Sequence, residues 1–545
     1  MRTGQRQTHS PRKALLAATA VAVATTTVAY LFGPGARADE KGAAKRSTDG
    51  ATARVAAETG SESASPTAAA DCTTDPARPK RQLRGVWIAT VQNIDWPTRA
   101  GQSPARQRAD YIRILDAAVK RRLNAVFVQI RPAGDALYAS PYEPWSRFLT
   151  GKVGKDPGWD PLPFLIEEAH KRGLEFHAWF NPYRAAYDDN VSRLPKNHPA
   201  RRHPAWTVKH EGRLYYNPGL PQVRDHVVKI VTDVVKRYDV DGVHFDDYFY
   251  PYPGRGERFD DRAAYKKYGK GKNLAAWRRE NVNTLIAQVD EAVHQIKPHV
   301  KFGISPFGIW RNASQDPKGS RTNGMSGYDA IHADALAWIR DGTVDYILPQ
   351  LYWPRGFKAA DYSVLAPWWA KQVKGTDVHL YIGQALYLVG SKNNAQWTKP
   401  GELPAHLTLN RKYPQIRGDA YFSAKQLLSN PLKVWNRIVK QHYSRPALLP
   451  LIKERGGEAP APPSGLAVSA DGTLTWQASE GARAYAVYRV DGKPGKCATA
   501  DARNLVAVVP GGTRFAAKTS GTYLVTSLDR LHNESEPARI TVKLD

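Results

Sequence analysis

Between residues 84 and 422, eight short runs rich in β-branched and aromatic residues recur, with helix-like segments between most of them. The runs are Arg84–Val91, Asn124–Ile130, Leu174–Phe180, Gly242–Asp246, Lys301–Ser305, Val344–Leu351, Val378–Gln384 and Ile416–Phe422. Strands that alternate with helices pair in parallel, because each connection must cross back over the sheet. Eight such units favour closure over an open sheet, so the expected class is α/β, a (β/α)8 TIM barrel over residues 81–445. Local signals support the helices. Ser103-Pro104 and Asp160-Pro161 are cap-plus-proline starts, and Val223, Val227, Val231, Val234 and Val235 form an apolar stripe within 221–238. The longest connections follow the second, third and fourth strands, where an active-site cleft is built.

The flanks have a different texture. Arg2, Arg6, Arg12 and Lys13 precede an uncharged apolar run from Ala14 to Phe32 and a small-residue site at Ala36-Arg37-Ala38. Residues 1–38 therefore read as an export signal peptide, with an uncleaved membrane anchor as the alternative. Residues 39–80 lack apolar periodicity and read as a disordered linker. Residues 446–463, with the run Ala459-Pro460-Ala461-Pro462-Pro463, read as a stiff proline-rich linker. From 464 to 545, short strands with turn signals predict a small all-β sandwich. Its Pro-Ser-Gly-Leu opening and its Leu474-Thr475-Trp476 and Tyr485-Ala486-Val487-Tyr488 strands resemble a fibronectin type III module. The two cysteines, Cys72 and Cys497, are too few for a thiolate metal site, and in an exported chain a disulfide between them would tie the barrel's entry to the sandwich.

The formal charge is +27, and near +22 once the leader is removed. The excess is dispersed, and no nucleic-acid motif accompanies it. It suits contact with anionic wall polymers, or simply a basic, soluble surface. No spacing of ligand-type residues demands a metal, and no cofactor is expected.

The fourth run ends in Val243-His244-Phe245-Asp246-Asp247-Tyr248-Phe249-Tyr250. Two carboxylates beside aromatic rings at a strand's carboxyl end suit a sugar, which stacks on flat apolar faces and reacts through proton transfer. Other acids near strand ends are few: Asp95 after the first strand, then Asp135 and Glu143 after the second. The sixth and seventh offer Gln350 and Gln384 instead, so the glutamate pair common in barrel glycosidases is absent.

The segments Leu83-Arg84-Gly85-Val86-Trp87 with Asn93-Ile94-Asp95-Trp96-Pro97, Val128-Gln129-Ile130-Arg131-Pro132, Glu143-Pro144-Trp145-Ser146, His177-Ala178-Trp179-Phe180-Asn181-Pro182-Tyr183-Arg184, the Asp246-Asp247-Tyr248 strand end, and Leu348-Pro349-Gln350-Leu351-Tyr352-Trp353 form a set. Together they resemble the bacterial glycosyl-hydrolase-like family 10. The likeness covers nearly all of 82–443. It implies a (β/α)8 barrel, export to the cell envelope and glycoside hydrolysis; some members look like hydrolases of peptidoglycan glycan strands.

The expected catalytic set is Glu143 with Asp246 and Asp247. Glu143, between Tyr142 and Pro144-Trp145, is read as the desolvated proton donor, and Asp246 as nucleophile, base or charge stabiliser with Asp247 as its partner. A second mechanism stays open. Asp241-Gly242-Val243-His244-Phe245-Asp246 loosely resembles the fourth-strand motif of chitinases, whose glutamate would fall on Tyr248. There the substrate's acetamido group is the nucleophile, and one carboxyl orients it while the other protonates. Asp95, Arg131, Asn181, Tyr183, Tyr248 and Gln350 are candidate hydrogen-bonding groups for the sugar. Trp96, Trp145, Trp310, Tyr352 and Trp353 are candidate stacking platforms. His177 and His244 read as satisfied interior histidines. The expected function is an exported glycosidase acting on an N-acetylhexosamine-containing envelope glycan. A carbohydrate-binding wall protein without catalysis, or a hydrolase of environmental polysaccharide, are the alternatives.

Overall fold

The computed structural model describes Cys72, Asp75, residues 77–254 and residues 256–544. The expected signal peptide and most of the expected disordered linker lie outside the described residues. Among those described, no helix is long and apolar enough to cross a membrane.

Eight parallel strands close into a barrel. In chain order they are Leu83–Ile88, Ala125–Arg131, Glu175–Phe180, Gly242–Phe245, Lys301–Ile304, a sixth in two pieces (Tyr346–Ile347 and Gln350–Leu351), His379–Gln384 and Ile416–Tyr421. The eighth pairs with the first, Leu83 opposite Gly418, which closes the ring. The break in the sixth falls at Leu348-Pro349, where proline has no N–H to donate to a ladder. Helices form where the caps predicted them. Ser103 accepts from Arg106 N (3.3 Å) at the head of Pro104–Lys120, and Asp160 from Leu162 N (3.2 Å) at Pro161–His170. Two of the connecting helices are each divided. The segment after the fifth strand runs Gly327–Ala330 and then Ala335–Asp341, with His332 at φ 57° between them. The last outer helix is split into Ala424–Ser429 and Val434–Gln441 by Asn430-Pro431, with Asn430 left-handed.

The lumen holds a column of aromatic and polar groups instead of aliphatic layers. Trp87 Nε1 donates to His244 Nε2 (3.2 Å), and the Tyr346 hydroxyl bridges His244 Nδ1 (3.2 Å) and His177 Nδ1 (3.0 Å). His177 Nε2 lies 3.3 Å from Glu175, which is ion-paired with Lys301. Both histidines are thus interior and partnered, and burial holds His244 neutral, well below the usual imidazole range.

The C-terminal strands form two antiparallel sheets, of three strands (Ser464–Val468, Thr473–Gln477, Arg514–Ala516) and four (Ala484–Val490, Leu505–Pro510, Gly521–Leu528, Ala538–Val542). Arg514–Ala516 was not anticipated. These sheets dock on the amino ends of the barrel strands. Arg530 bonds to Asp239 and lies 3.4 Å from Asp241, just before the fourth strand, while Glu534 meets Lys80 at 2.5 Å. Buried Leu448 and Leu449 belong to this contact, so residues 447–452 pack against folded structure and are not free linker as expected. The Cys72–Cys497 disulfide is formed, with Cα atoms 5.6 Å apart. The opposite end, at the strands' carboxyl ends, is left for chemistry.

Candidate active site

The fourth strand ends at Phe245, and its parity aims the two aspartates beyond it. His244 points into the lumen, Phe245 outward against Phe302, so Asp246 faces the mouth. Regular pairing stops there, and the chain turns. Tyr248 N donates to Asp246 Oδ1 (3.2 Å) and Phe249 N to the Asp247 carbonyl (3.0 Å). That turn lets Asp247, which strict alternation would send outward, reach the mouth as well.

Asp246 accepts from Trp179 Nε1 (3.0 Å) and from Asn181 Nδ2 (3.3 Å to each oxygen), both at the end of the third strand. Asp247 accepts from Gln350 Nε2 (3.0 Å) and from the Tyr252 hydroxyl; Gln350 also donates to the Ser305 carbonyl (2.9 Å). Arg184 lies 4.4 Å from the centre of the Tyr248 ring and is the cation that lowers both carboxyls. Burial, and then the charge of Asp247, push Asp246 up to about 7. Burial also raises Asp247, but the Tyr252 and Gln350 hydrogen bonds favour its anion. Of the pair, Asp246 is therefore the carboxyl that takes up a proton near neutrality.

Glu143 does not join them. Both of its oxygens are held by Arg131, at 2.7 Å from Nε and 2.6 Å from Nη2, and His226 Nε2 lies 3.6 Å away. Burial alone would raise this carboxyl, but the Arg131 charge and its hydrogen bonds, with His226 close by, outweigh it and hold Glu143 at about 2. A group ionised at every working pH cannot be the proton donor, so the expected acid is instead half of a buried ion pair. Arg131 is lost to the sugar for the same reason, with its remaining nitrogen on the carbonyls of Asn181 and Pro182.

Other expected contacts are likewise committed to the fold. Asp95 accepts from Ala89 N (2.8 Å), Ser423 Oγ (2.7 Å) and Lys425 N (2.7 Å), which fastens the first loop to the start of the Ala424–Ser429 helix. Trp96 is fully enclosed and donates to the Gln107 carbonyl (2.8 Å). Trp310 is buried and bonded to Asp334, Trp353 is buried against Phe307, and Tyr183 is fully buried. None of the three tryptophans is an open platform at the mouth, and Asp95 and Tyr183 are enclosed with them. Half-buried Trp145 faces a flank crevice of about 560 Å³ that is also lined by Glu143, Asp156, Asn197 and Arg237.

The structure does bring together Asp246, Asp247, Asn181, Tyr248, Gln350 and Tyr352. It adds Trp179, Arg184 and Tyr252, which sequence reasoning did not select. Trp179 and Arg184 belong to the same run as Asn181, and period-two alternation would have put Trp179 and Asn181 on one side. Tyr252 sits beyond Pro251 and gave no signal. Among the described residues no group of three or more His, Cys, Asp or Glu side chains could hold a metal ion.

The family described as Glycosyl hydrolase-like 10 matches residues 82–399. The chain is 46% identical over 485 residues to "Glycosyl hydrolase YngK" of Bacillus subtilis (strain 168), covering 86% of this chain and 94% of that one. It is 44% identical over 362 residues to "Glycosyl hydrolase DigH" of Escherichia coli (strain K12), covering 62% and 82%. Among solved structures, the PgaB (BpsB) glycoside hydrolase domain from Bordetella bronchiseptica matches with TM-score 0.44 at 13% identity, over 67% of this chain and 99% of that one. Chitinase ChiA74 from Bacillus thuringiensis matches with TM-score 0.39 at 11% identity, over 85% of each. Those two likenesses are too remote to carry an argument about chemistry. The match across the barrel and the identity to whole-length relatives are not, and the chain belongs to the glycosyl hydrolase-like 10 family as a glycoside hydrolase.

Proposed function

We propose that this enzyme hydrolyses a β-linked, N-acetylhexosamine-containing glycan of the cell envelope, the peptidoglycan glycan strand foremost, with the substrate's own acetamido group as nucleophile. One observation carries the reading: the two carboxyls at the end of the fourth strand are adjacent aspartates, and Glu143 is withdrawn into its pair with Arg131. A glycosidase that works with two opposed carboxylates places them on either side of the scissile bond. Neighbours in sequence, fastened to one strand end, lie on the same side. The nucleophile must then come from the substrate.

The roles follow from the protonation states. Asp246 gives its proton to the glycosidic oxygen as the C1–O bond breaks. The acetamido carbonyl oxygen bonds to C1, and ionised Asp247 holds the amide N–H and the positive charge that develops on it. Asp247 has acceptor sites left beside Tyr252 and Gln350, since a carboxylate offers about four. Water then attacks C1 and passes its proton to Asp246, the ring opens, and the anomeric configuration is retained. Trp179 and Asn181 stabilise Asp246 while it is an anion between the two steps.

The apolar, basic-flanked leader supports export, and the excess of positive charge supports contact with anionic wall polymers. The C-terminal sheets, read as a fibronectin type III-like module, serve as a fixed base for the barrel. The test is mass spectrometry of oligosaccharides released from peptidoglycan glycan strands and from chitooligosaccharides by the wild-type, Asp246→Asn and Asp247→Asn enzymes. Both variants should bind glycan without cutting it; unchanged products would remove the assignment.

A further inference from the structure

Substrate assistance makes a demand that the aspartates do not meet: the acetamido methyl and carbonyl need a place beside Asp247. The ends of the sixth, seventh and eighth strands carry Tyr352, Tyr387 and Phe422, three half-buried rings. They pack as one cluster, with centroids 5.6 Å apart for Tyr352–Tyr387, 5.7 Å for Tyr387–Phe422 and 6.2 Å for Tyr352–Phe422. Trp87 closes it toward the lumen, 6.2 Å from Phe422, and Tyr387 N donates to the Phe422 carbonyl (2.9 Å) and fixes two of the rings together. Tyr352 stands two residues beyond Gln350, which donates to Asp247 (3.0 Å), so the cluster borders the catalytic pair.

Two features set these rings apart from ordinary core. They keep part of their surface in solvent at the end of the barrel where the chemistry lies. The phenols of Tyr352 and Tyr387 also have no hydrogen-bond partner among the described residues and, unlike the unpartnered but fully enclosed phenols of Tyr138, Tyr183 and Tyr216, belong to part-exposed side chains. Both phenols stay protonated, held above the usual range by burial. Apolar walls, two unused O–H donors and an anion on one side match an N-acetyl group point for point: methyl to ring, carbonyl oxygen to phenol, N–H to carboxylate.

We infer that Tyr387 and Phe422, with Tyr352, form the pocket that receives the 2-acetamido group of the sugar at the cleaved bond and so select N-acetylated over free-amine or 2-hydroxyl sugars. The inference rests on the substrate-assisted reading above and names the residues that read its substrate. The probes are N-acetylglucosamine-thiazoline, which mimics the oxazoline, and 1-deoxynojirimycin, which lacks the acetamido group, titrated calorimetrically into the full-length enzyme. Phe422→Ala and Tyr387→Ala should each weaken thiazoline by at least about tenfold, the scale of one lost apolar contact or hydrogen bond at about 1.4 kcal/mol per decade. Tyr387→Phe, which keeps the ring and serves as the fold-neutral control, should lose only part of that. Binding of 1-deoxynojirimycin should change less than about twofold in every variant. Equal loss of both probes, or unchanged thiazoline binding by all three variants, overturns the pocket and leaves the substrate-assisted mechanism standing. Failure of the wild-type enzyme to bind thiazoline overturns both.

Discussion

Glu143→Gln separates a buried ion pair from a proton donor more cleanly than any other substitution. In the folded protein Glu143 sits at about 2, against an ordinary 4.5. A difference of roughly 2.5 units, at 1.36 kcal/mol per unit, corresponds to about 3 kcal/mol of stability held by the ionised form. The same figure follows independently from the cost of breaking a buried pair by removing one partner, about 3–5 kcal/mol, because Arg131 would be left charged and buried. With an unfolding entropy near 2.1 cal/mol/K per residue, that lowers the melting temperature by about 3–4 °C, depending on whether barrel and module melt together. Because the folded value is depressed, this stability is fully present above about pH 4.5 and is lost as pH falls toward 2. Calorimetry on the two proteins between pH 7 and pH 3 should therefore show a gap of a few degrees that narrows toward acid. Turnover per folded molecule at 25 °C should stay within about threefold. A variant that melts like the wild type yet has lost turnover by a hundredfold or more would refute this reasoning and restore Glu143 as the acid.

Other expectations follow from the same geometry. Asp246→Asn should lower kcat by about 10²–10⁴, the range for removing a general acid, with no change in melting large enough to explain it. The wild-type rate should fall as pH rises through about 7, where Asp246 gives up its proton. Trp179→Phe removes a hydrogen bond that lowers Asp246, so it should carry that alkaline limb to higher pH; a limb that stays in place would show that Trp179 does not act through Asp246. Proteolytic cleavage within 457–463 should leave the two fragments co-eluting even after reduction of the Cys72–Cys497 disulfide. Their contact through Arg530, Glu534 and buried Leu448 does not depend on the linker.

The barrel was legible because its signals are local. Runs such as Ala125–Arg131 and helices such as Pro221–Arg237 announce themselves through period and caps, and eight alternations leave little choice of topology. The breaks were not legible in the same way. Asn430-Pro431 interrupts the last outer helix, and only the folded chain shows Asn430 taking a left-handed turn there. The twin aspartates could be read because a strand that stops at two acids has few structural uses. Glu143 was misread for want of tertiary information. Its apolar neighbours would raise a carboxyl, but the loop after the second strand folds back and sets it against Arg131, twelve residues earlier, a pairing that no sequence period encodes. Trp96, Trp310 and Trp353 share that lesson, since a ring near a strand end is either platform or core according to what closes over it. Tyr387 and Phe422 become neighbours only when the barrel closes.

The most direct measurement is the anomeric configuration of the first product, read by proton NMR within minutes of adding enzyme to a chitooligosaccharide or peptidoglycan glycan strand. Twin aspartates serving an acetamido nucleophile should release the β-anomer from a β-linkage, with no sugar attached to the protein by mass spectrometry. Release of the α-anomer, or a glycosyl ester on either aspartate, would contradict that account.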